Sequence, residues 1–138
     1  MITRVLVDAG PLIALFNVND PQHETCAAQM DGLQPPLVTT WPVLAEAAWL
    51  LRKRSDLVQT LMQGGLDGLF SIPEIGLDAL PWLIAFIARY QNLQAQLADA
   101  TLVFLAEREN IDTVFTLDRR DFSIYRFGRN RSFRILPE

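Results

Sequence analysis

The chain has 138 residues, half of them hydrophobic and a fifth charged, which fits one domain with its own core. One cysteine (Cys26) and one histidine (His23) exclude a disulfide framework, a thiolate zinc site and a multi-histidine metal centre. The net charge of −4 gives no general attraction for phosphate, and the longest wholly apolar run, Ala79 to Ala88, is too short for a bilayer.

No charged-then-apolar leader opens the chain, so a soluble cytoplasmic protein is expected. Thr3 to Asp8 reads as a short buried strand ending in an acid. Gly10 and Pro11 turn the chain into a short helix through Leu12, Ile13, Leu15 and Phe16. Asp20-Pro21 starts another helix that closes near Gly32, and Pro35-Pro36 separates it from a brief strand over Leu37 to Thr40. Trp41 to Lys53 is helical, with Pro42 suited to a first turn and alanines and leucines favouring the interior. An amphipathic helix is expected from about Asp56 to Leu66, stopped by glycines at 64, 65 and 68.

Gly68 to Pro73 reads as a strand, followed by a long apolar helix from about Leu77 to Tyr90 and another helix over Leu97 to Glu109. Thr113 to Leu117 is a strand leading into Asp118, and Phe133 to Leu136 is a last edge strand ended by Pro137. There are no repeats and no low-complexity stretches. Strands alternating with helices predict a parallel, layered α/β sheet, and such open sheets hold ligands at the carboxyl ends of their strands. Asp8 and Asp118 both stand at that edge.

Two further acids lie in apolar helices: Glu46 in Val43 to Leu51, and Asp99 in Leu97 to Val103, each without a basic residue beside it. Each of the four acids has an ordinary structural role open to it. Asp8 and Asp99 would suit helix N-termini, Asp118 an Asx turn into Arg119 and Arg120, and Glu46 a solvated helix face. Together they suggest convergence, because two strands and two helices each deliver one acid from an apolar context. Converging carboxylates raise one another's proton affinity, and a divalent cation removes the conflict. An all-oxygen donor set suits Mg2+ or Mn2+, with a bound water as nucleophile and room for one or two ions.

The charge is uneven along the chain. Residues 1–118 carry six basic and fourteen acidic side chains, whereas 119–138 carry six arginines against Asp121 and Glu138. Arginine forks match phosphate oxygens, so Arg119, Arg120 and Arg126 are candidate phosphate contacts, with a plain solvated surface as the alternative.

The blocks Val-Asp8-Ala-Gly-Pro-Leu-Ile-Ala-Leu, Val-Leu-Ala-Glu46-Ala, Leu-Ala-Asp99-Ala-Thr-Leu-Val and Thr116-Leu-Asp118-Arg-Arg-Asp121-Phe resemble the PIN domain nucleases. In particular they resemble the VapC-type toxin ribonucleases of bacterial toxin–antitoxin pairs, over essentially the whole chain. The resemblance implies a three-layer α/β/α sandwich around a central, mostly parallel sheet, forming a single PIN-like domain. It implies a Mg2+- or Mn2+-dependent endoribonuclease acting on RNA, a homodimer, and a protein antitoxin that occupies the active-site groove. By position Asp8, Glu46, Asp99 and Asp118 match the family's acidic quartet. Asp8 and Asp99 are then expected to bind metal directly, and Glu46 and Asp118 to act through waters or on a second ion. Thr116 would orient a carboxylate or water, Asp121 would pair with Arg119, Arg120 or another nearby arginine or else support the site, and His23 would pack between helices.

Other chemistries of the same sheet edge fail on particular residues. A haloacid-dehalogenase-like phosphatase needs an aspartate where Gly10 stands, a receiver domain needs a late lysine, and no glycine-rich run ends in Lys-Ser or Lys-Thr. The alternative from another class is a catalytically silent module of the same fold that binds RNA or a protein. The apolar helix with Leu80, Trp82, Leu83, Phe86 and Ile87 is read as core, with any excess available to a second copy or an antitoxin helix.

Overall fold

A computed structural model describes residues 1–138. Five short strands form one sheet: β1 (Leu6–Val7), β2 (Leu37–Val38), β3 (Phe70–Ser71), β4 (Thr113–Phe115) and β5 (Arg134–Leu136). Their order is β3-β2-β1-β4-β5 and every pairing is parallel, so the mostly parallel sheet expected from the sequence is wholly parallel. Seven α-helices join them: α1 (Ala9–Phe16), α2 (His23–Met30), α3 (Trp41–Leu50), α4 (Ser55–Leu66), α5 (Leu80–Arg89), α6 (Leu97–Glu109) and α7 (Arg119–Ile124). Val5, Leu6, Val7, Val114 and Phe115 are fully buried, as central parallel strands covered on both faces must be.

The winding decides where a ligand can sit. The chain runs outward from β1 through β2 to β3, then returns past β1 to β4 and β5. The strand order therefore reverses between the neighbours β1 and β4, where successive connections leave toward opposite faces and open a crevice at the carboxyl edge. Leu6 pairs with Val114 and Val7 with Phe115 in this register. Asp8 N–H donates to the Phe115 carbonyl at 2.9 Å, which carries the ladder one residue further and sets Asp8 beside Thr116.

Several elements are shorter than the sequence expectation, and three differences have a clear physical reason. The strand expected over Thr3 to Asp8 shortens to two residues, because Asp8 already serves as the N-cap of α1. Gly64 and Gly65 do not stop α4, which continues through both to Leu66 and ends where Gly68 takes φ +87°. These two glycines admit the rings of Phe16 and Phe70: a Cβ on Gly64 would meet Phe16 Cζ at 2.9 Å, and one on Gly65 would meet Phe70 Cε1 at 3.0 Å. Past Asp118, where a turn was expected, a short helix α7 forms. His23 packs α2 onto α1 by donating from Nδ1 to the Ala14 carbonyl at 2.6 Å. On α5, Leu83 and Phe86 enter the core, whereas Leu80, Ile84 and Ile87 remain exposed. No helix is long and apolar enough to cross a membrane.

Candidate functional site

A cleft of about 640 Å3 lies at the carboxyl edge where β1 meets β4. Asp8, Glu46, Asp99, Asp118 and Asp121 line it, with Gln94, Gln96, Leu50, Leu93 and Leu117 among the remaining walls. The four acids expected from the sequence are thus gathered in one place, and Asp121 joins them.

Each acid is placed at the cap, in the first turn or in the middle of a helix. Asp8 is buried, and its two oxygens have separate partners. Oδ1 accepts from Ala9 N–H at 2.8 Å, capping α1, and Oδ2 accepts from the Thr116 hydroxyl at 2.8 Å. The same hydroxyl oxygen accepts from Asp118 N–H at 3.0 Å, so Thr116 ties the two strand-end acids together. Asp118 in turn caps α7, its Oδ1 accepting from Asp121 N–H at 3.1 Å. The capping role open to Asp8 is therefore real, Asp118 caps a helix where a turn was expected, and neither role withdraws the carboxylate from the cleft. One oxygen can organise a helix terminus while the remaining lone pairs face the cleft.

Glu46 and Asp99 come from two helices joined at their starts. Thr40, the N-cap of α3, donates its hydroxyl to Thr101 of α6 at 2.8 Å, and Thr101 donates to the Ala98 carbonyl at 2.7 Å. Asp99 stands in the first turn of α6, where the helix dipole favours an anion. Its Oδ2 accepts from the Tyr125 hydroxyl at 2.7 Å. Glu46 makes no hydrogen bond to the protein and faces the cleft at mid-helix in α3.

The electrostatics follow from this crowding. Burial raises the proton affinity of Asp8, against the hydrogen bonds from Thr116 and Ala9, and the charge of Asp118 adds to it. Burial, then the charges of Asp8 and Asp118, raises Glu46. Asp99 is pushed up to about 7 by burial, with the Tyr125 hydrogen bond opposing and the charges of Asp8, Asp118 and Glu46 reinforcing. Asp121 is raised as well, by burial first and then by Asp118, while Arg120 opposes. No basic residue lines the cleft to neutralise these groups.

The closest gathering of carboxylate oxygens is that of Asp99, Asp118 and Asp121, all within 4.8 Å of one another. Asp8 lies outside this trio with its oxygens already engaged, and Glu46 is also outside it. Of the arginines singled out in the sequence, Arg119 donates to the Pro137 carbonyl. Arg126 donates from Nη1 to the carbonyls of Ser123, Ile124 and Tyr125. Arg120 alone of the three makes no side-chain hydrogen bond, and its charge bears on Asp121.

Sequence reasoning missed Tyr125. Tyr125 follows directly on α7, a helix of six residues, which is too short for its spacing to show a period in the sequence. Sequence reasoning also missed Gln94 and Gln96, the cleft's uncharged polar side chains, for which no pattern in the chain was diagnostic.

Comparison with known proteins agrees with this architecture. A family model for the PIN domain matches residues 5–128. Ribonuclease VapC26 of Mycobacterium tuberculosis is 27% identical over 135 residues, spanning 96% of this chain and 100% of its own length. The crystal structure of Mycobacterium tuberculosis VapC20, a toxin that cleaves the sarcin-ricin loop, superposes with a TM-score of 0.76 at 20% identity, covering 84% of this chain and 91% of that one. The VapBC2 complex of Rickettsia felis, solved bound to a DNA fragment from its promoter, superposes with a TM-score of 0.64 at 14% identity over 98% of each chain.

Proposed function

The chain belongs to the PIN domain family, and on that footing we propose that it is a divalent-metal-dependent endoribonuclease, the toxin of a toxin–antitoxin pair. One observation carries the reading: five carboxylates from two strand ends and three helices line a single cleft that contains no basic side chain. Such a cleft has little reason to exist as a structural feature, since each acid there holds its proton more tightly or crowds its neighbours.

The donor set fits a hard cation. Every ligand atom on offer is an oxygen, and those of the trio lie within 4.8 Å of one another, near enough to share one hard cation. Asp99, Asp118 and Asp121 would hold Mg2+ or Mn2+, with Asp8 and Glu46 facing the same space for a shared or second ion. When bound, the ion supplies a more acidic water and polarises the phosphoryl oxygen. The protein's own part is orientation and proton handling. Thr116 fixes Asp8 and the start of the Asp118 segment, and Glu46, free of protein hydrogen bonds, is placed to take the proton of the attacking water. Arg120, whose charge bears on Asp121 and whose guanidinium makes no hydrogen bond to the protein, would meet a phosphate of the RNA.

The relationship to ribonuclease VapC26 supports an RNA substrate and the VapBC2 complex a protein partner, which as an antitoxin would sit in the cleft. The exposed Leu80, Ile84 and Ile87 of α5 supply an apolar face for a homodimer, which gel filtration over a concentration series tests. An RNA substrate agrees with the cytoplasmic location expected from the sequence.

The deciding experiment is cleavage of labelled single-stranded RNA with Mg2+ or Mn2+ and with chelator. Wild type is compared with Asp8→Asn and Asp99→Asn. Metal-dependent cutting lost in both variants supports the proposal. Cutting that survives chelation or both substitutions overturns it.

A further inference from the structure

We propose that Tyr125 is a positioning residue that fixes the Asp99 carboxylate in the orientation a divalent cation requires, an inference that rests on the metal reading above. The Tyr125 hydroxyl donates to Asp99 Oδ2 at 2.7 Å, and no other group of the protein hydrogen-bonds that carboxylate. Oδ1 is left free. Without the tyrosine, the side chain in the first turn of α6 would be held by its rotamer preferences alone, at the edge of an open cleft.

The tyrosine is itself held from several directions. The residue is fully buried, and its ring packs against Phe86, Tyr90 and Phe122 with centroids 5.1, 5.0 and 5.2 Å away. Its backbone is clamped by Arg126, whose Nη1 donates to the carbonyls of Ser123, Ile124 and Tyr125 at 2.8, 3.2 and 2.9 Å. Arg126 N–H donates to the Tyr90 hydroxyl at 2.9 Å, tying this turn to the end of α5. The hydroxyl thus reaches the cleft from a ring that cannot follow the carboxylate if it swings. Partners of this kind, one bond removed from an ion, orient the ligand atom and tune its donor strength. A buried phenol with only a packing role would leave its hydroxyl in search of any acceptor. Here the acceptor is one of the three acids whose oxygens approach within 4.8 Å.

The test is Mn2+ binding to the intact protein, read by calorimetry and by the electron paramagnetic resonance of free Mn2+, in wild type, Tyr125→Phe and Phe86→Leu. Tyr125→Phe keeps the ring and loses only the donor. Phe86→Leu loosens the same aromatic cluster without touching a carboxylate. The expected result is that Tyr125→Phe raises the Mn2+ dissociation constant about tenfold, while Phe86→Leu lowers the melting temperature and leaves the constant unchanged. Equal affinity in wild type and Tyr125→Phe overturns the inference, as does an equal loss in both variants, which would make the effect one of packing. Absence of Mn2+ binding in wild type overturns it together with the metal reading, and this outcome is distinct from the other two.

Discussion

Replacing Asp99 with asparagine should make the metal-free protein more stable at pH 8. In the folded chain the Asp99 pKa stands at about 7, against 3.8 for the free side chain, chiefly because burial penalises its charge. The folded state therefore keeps a proton that the unfolded state gives up. Stability falls as pH rises from about 4 to 7 and is level above that, the reverse of a salt-bridged acid. A shift of this size corresponds to about 4 kcal/mol as a ceiling. Neighbouring acids titrate together and the amide needs its own solvation, so about 1–3 kcal/mol is the working expectation. Asparagine keeps an oxygen for the Tyr125 hydroxyl, so the hydrogen bond is retained while the charge goes. For a chain of this length the gain equals a rise of roughly 3–9 °C in melting temperature. Thermal and urea unfolding in chelator at pH 5, 6, 7 and 8 read it. Wild type should lose stability across that series, with Asp8, Glu46 and Asp121 contributing in the same direction, and Asp99→Asn should flatten it. Added Mg2+ should then stabilise wild type more than the variant. An Asp99→Asn protein no more stable than wild type at pH 8, or with an unchanged pH profile, would refute the argument that crowded, buried charge strains this cleft.

Thr116→Val removes a buried donor to Asp8 and an acceptor for Asp118 N–H, so stability should fall by about 1–3 kcal/mol in urea titrations. RNA cleavage by this variant should slow about tenfold or more, mainly in kcat. Gly64→Ala sets a helix-propensity gain of about 1 kcal/mol against a Cβ only 2.9 Å from Phe16 Cζ. Overpacking of this kind costs about 1–3 kcal/mol, so a lower melting temperature is expected, and a higher one would mean that Phe16 moves aside freely. Arg120→Ala should weaken RNA binding and reduce its salt slope by about one without lowering stability. Arg126→Ala should do the opposite, because its guanidinium is spent on the carbonyls that end α7.

The sheet and four of the five cleft acids were legible because each rests on a local pattern. An acid that closes a short run of apolar and β-branched residues, as at Asp8 and Asp118, marks the carboxyl end of a parallel strand without knowledge of its neighbours. Glu46 and Asp99 stood out against alanine and leucine for the same reason. Tyr125 and Asp121 depend instead on α7, whose six residues are too few to show a period and whose cap resembles an ordinary Asx turn. The role of Gly64 and Gly65 was hidden because it lies in what surrounds them. As local signals they end a helix, and only the rings of Phe16 and Phe70 turn them into interior positions of α4. The arginines show the same limit: a charge count sees six cations, while the fold engages Arg119 and Arg126 with backbone carbonyls.

The bond between Thr116 and Asp8 joins residues 108 positions apart, the first strand to the fourth. A growing chain that has exposed everything through α6 already carries Asp8, Glu46 and Asp99, yet it has nothing to place beside them. Thr116, Asp118, Asp121 and Tyr125 all arrive with β4 and the helix after it. The cleft is therefore among the last features to be assembled, and it depends on the slowest kind of contact, one that closes a long loop. A ribosome making this protein would handle an inert nascent chain for most of its synthesis, and cutting would begin only after β4 has docked against β1.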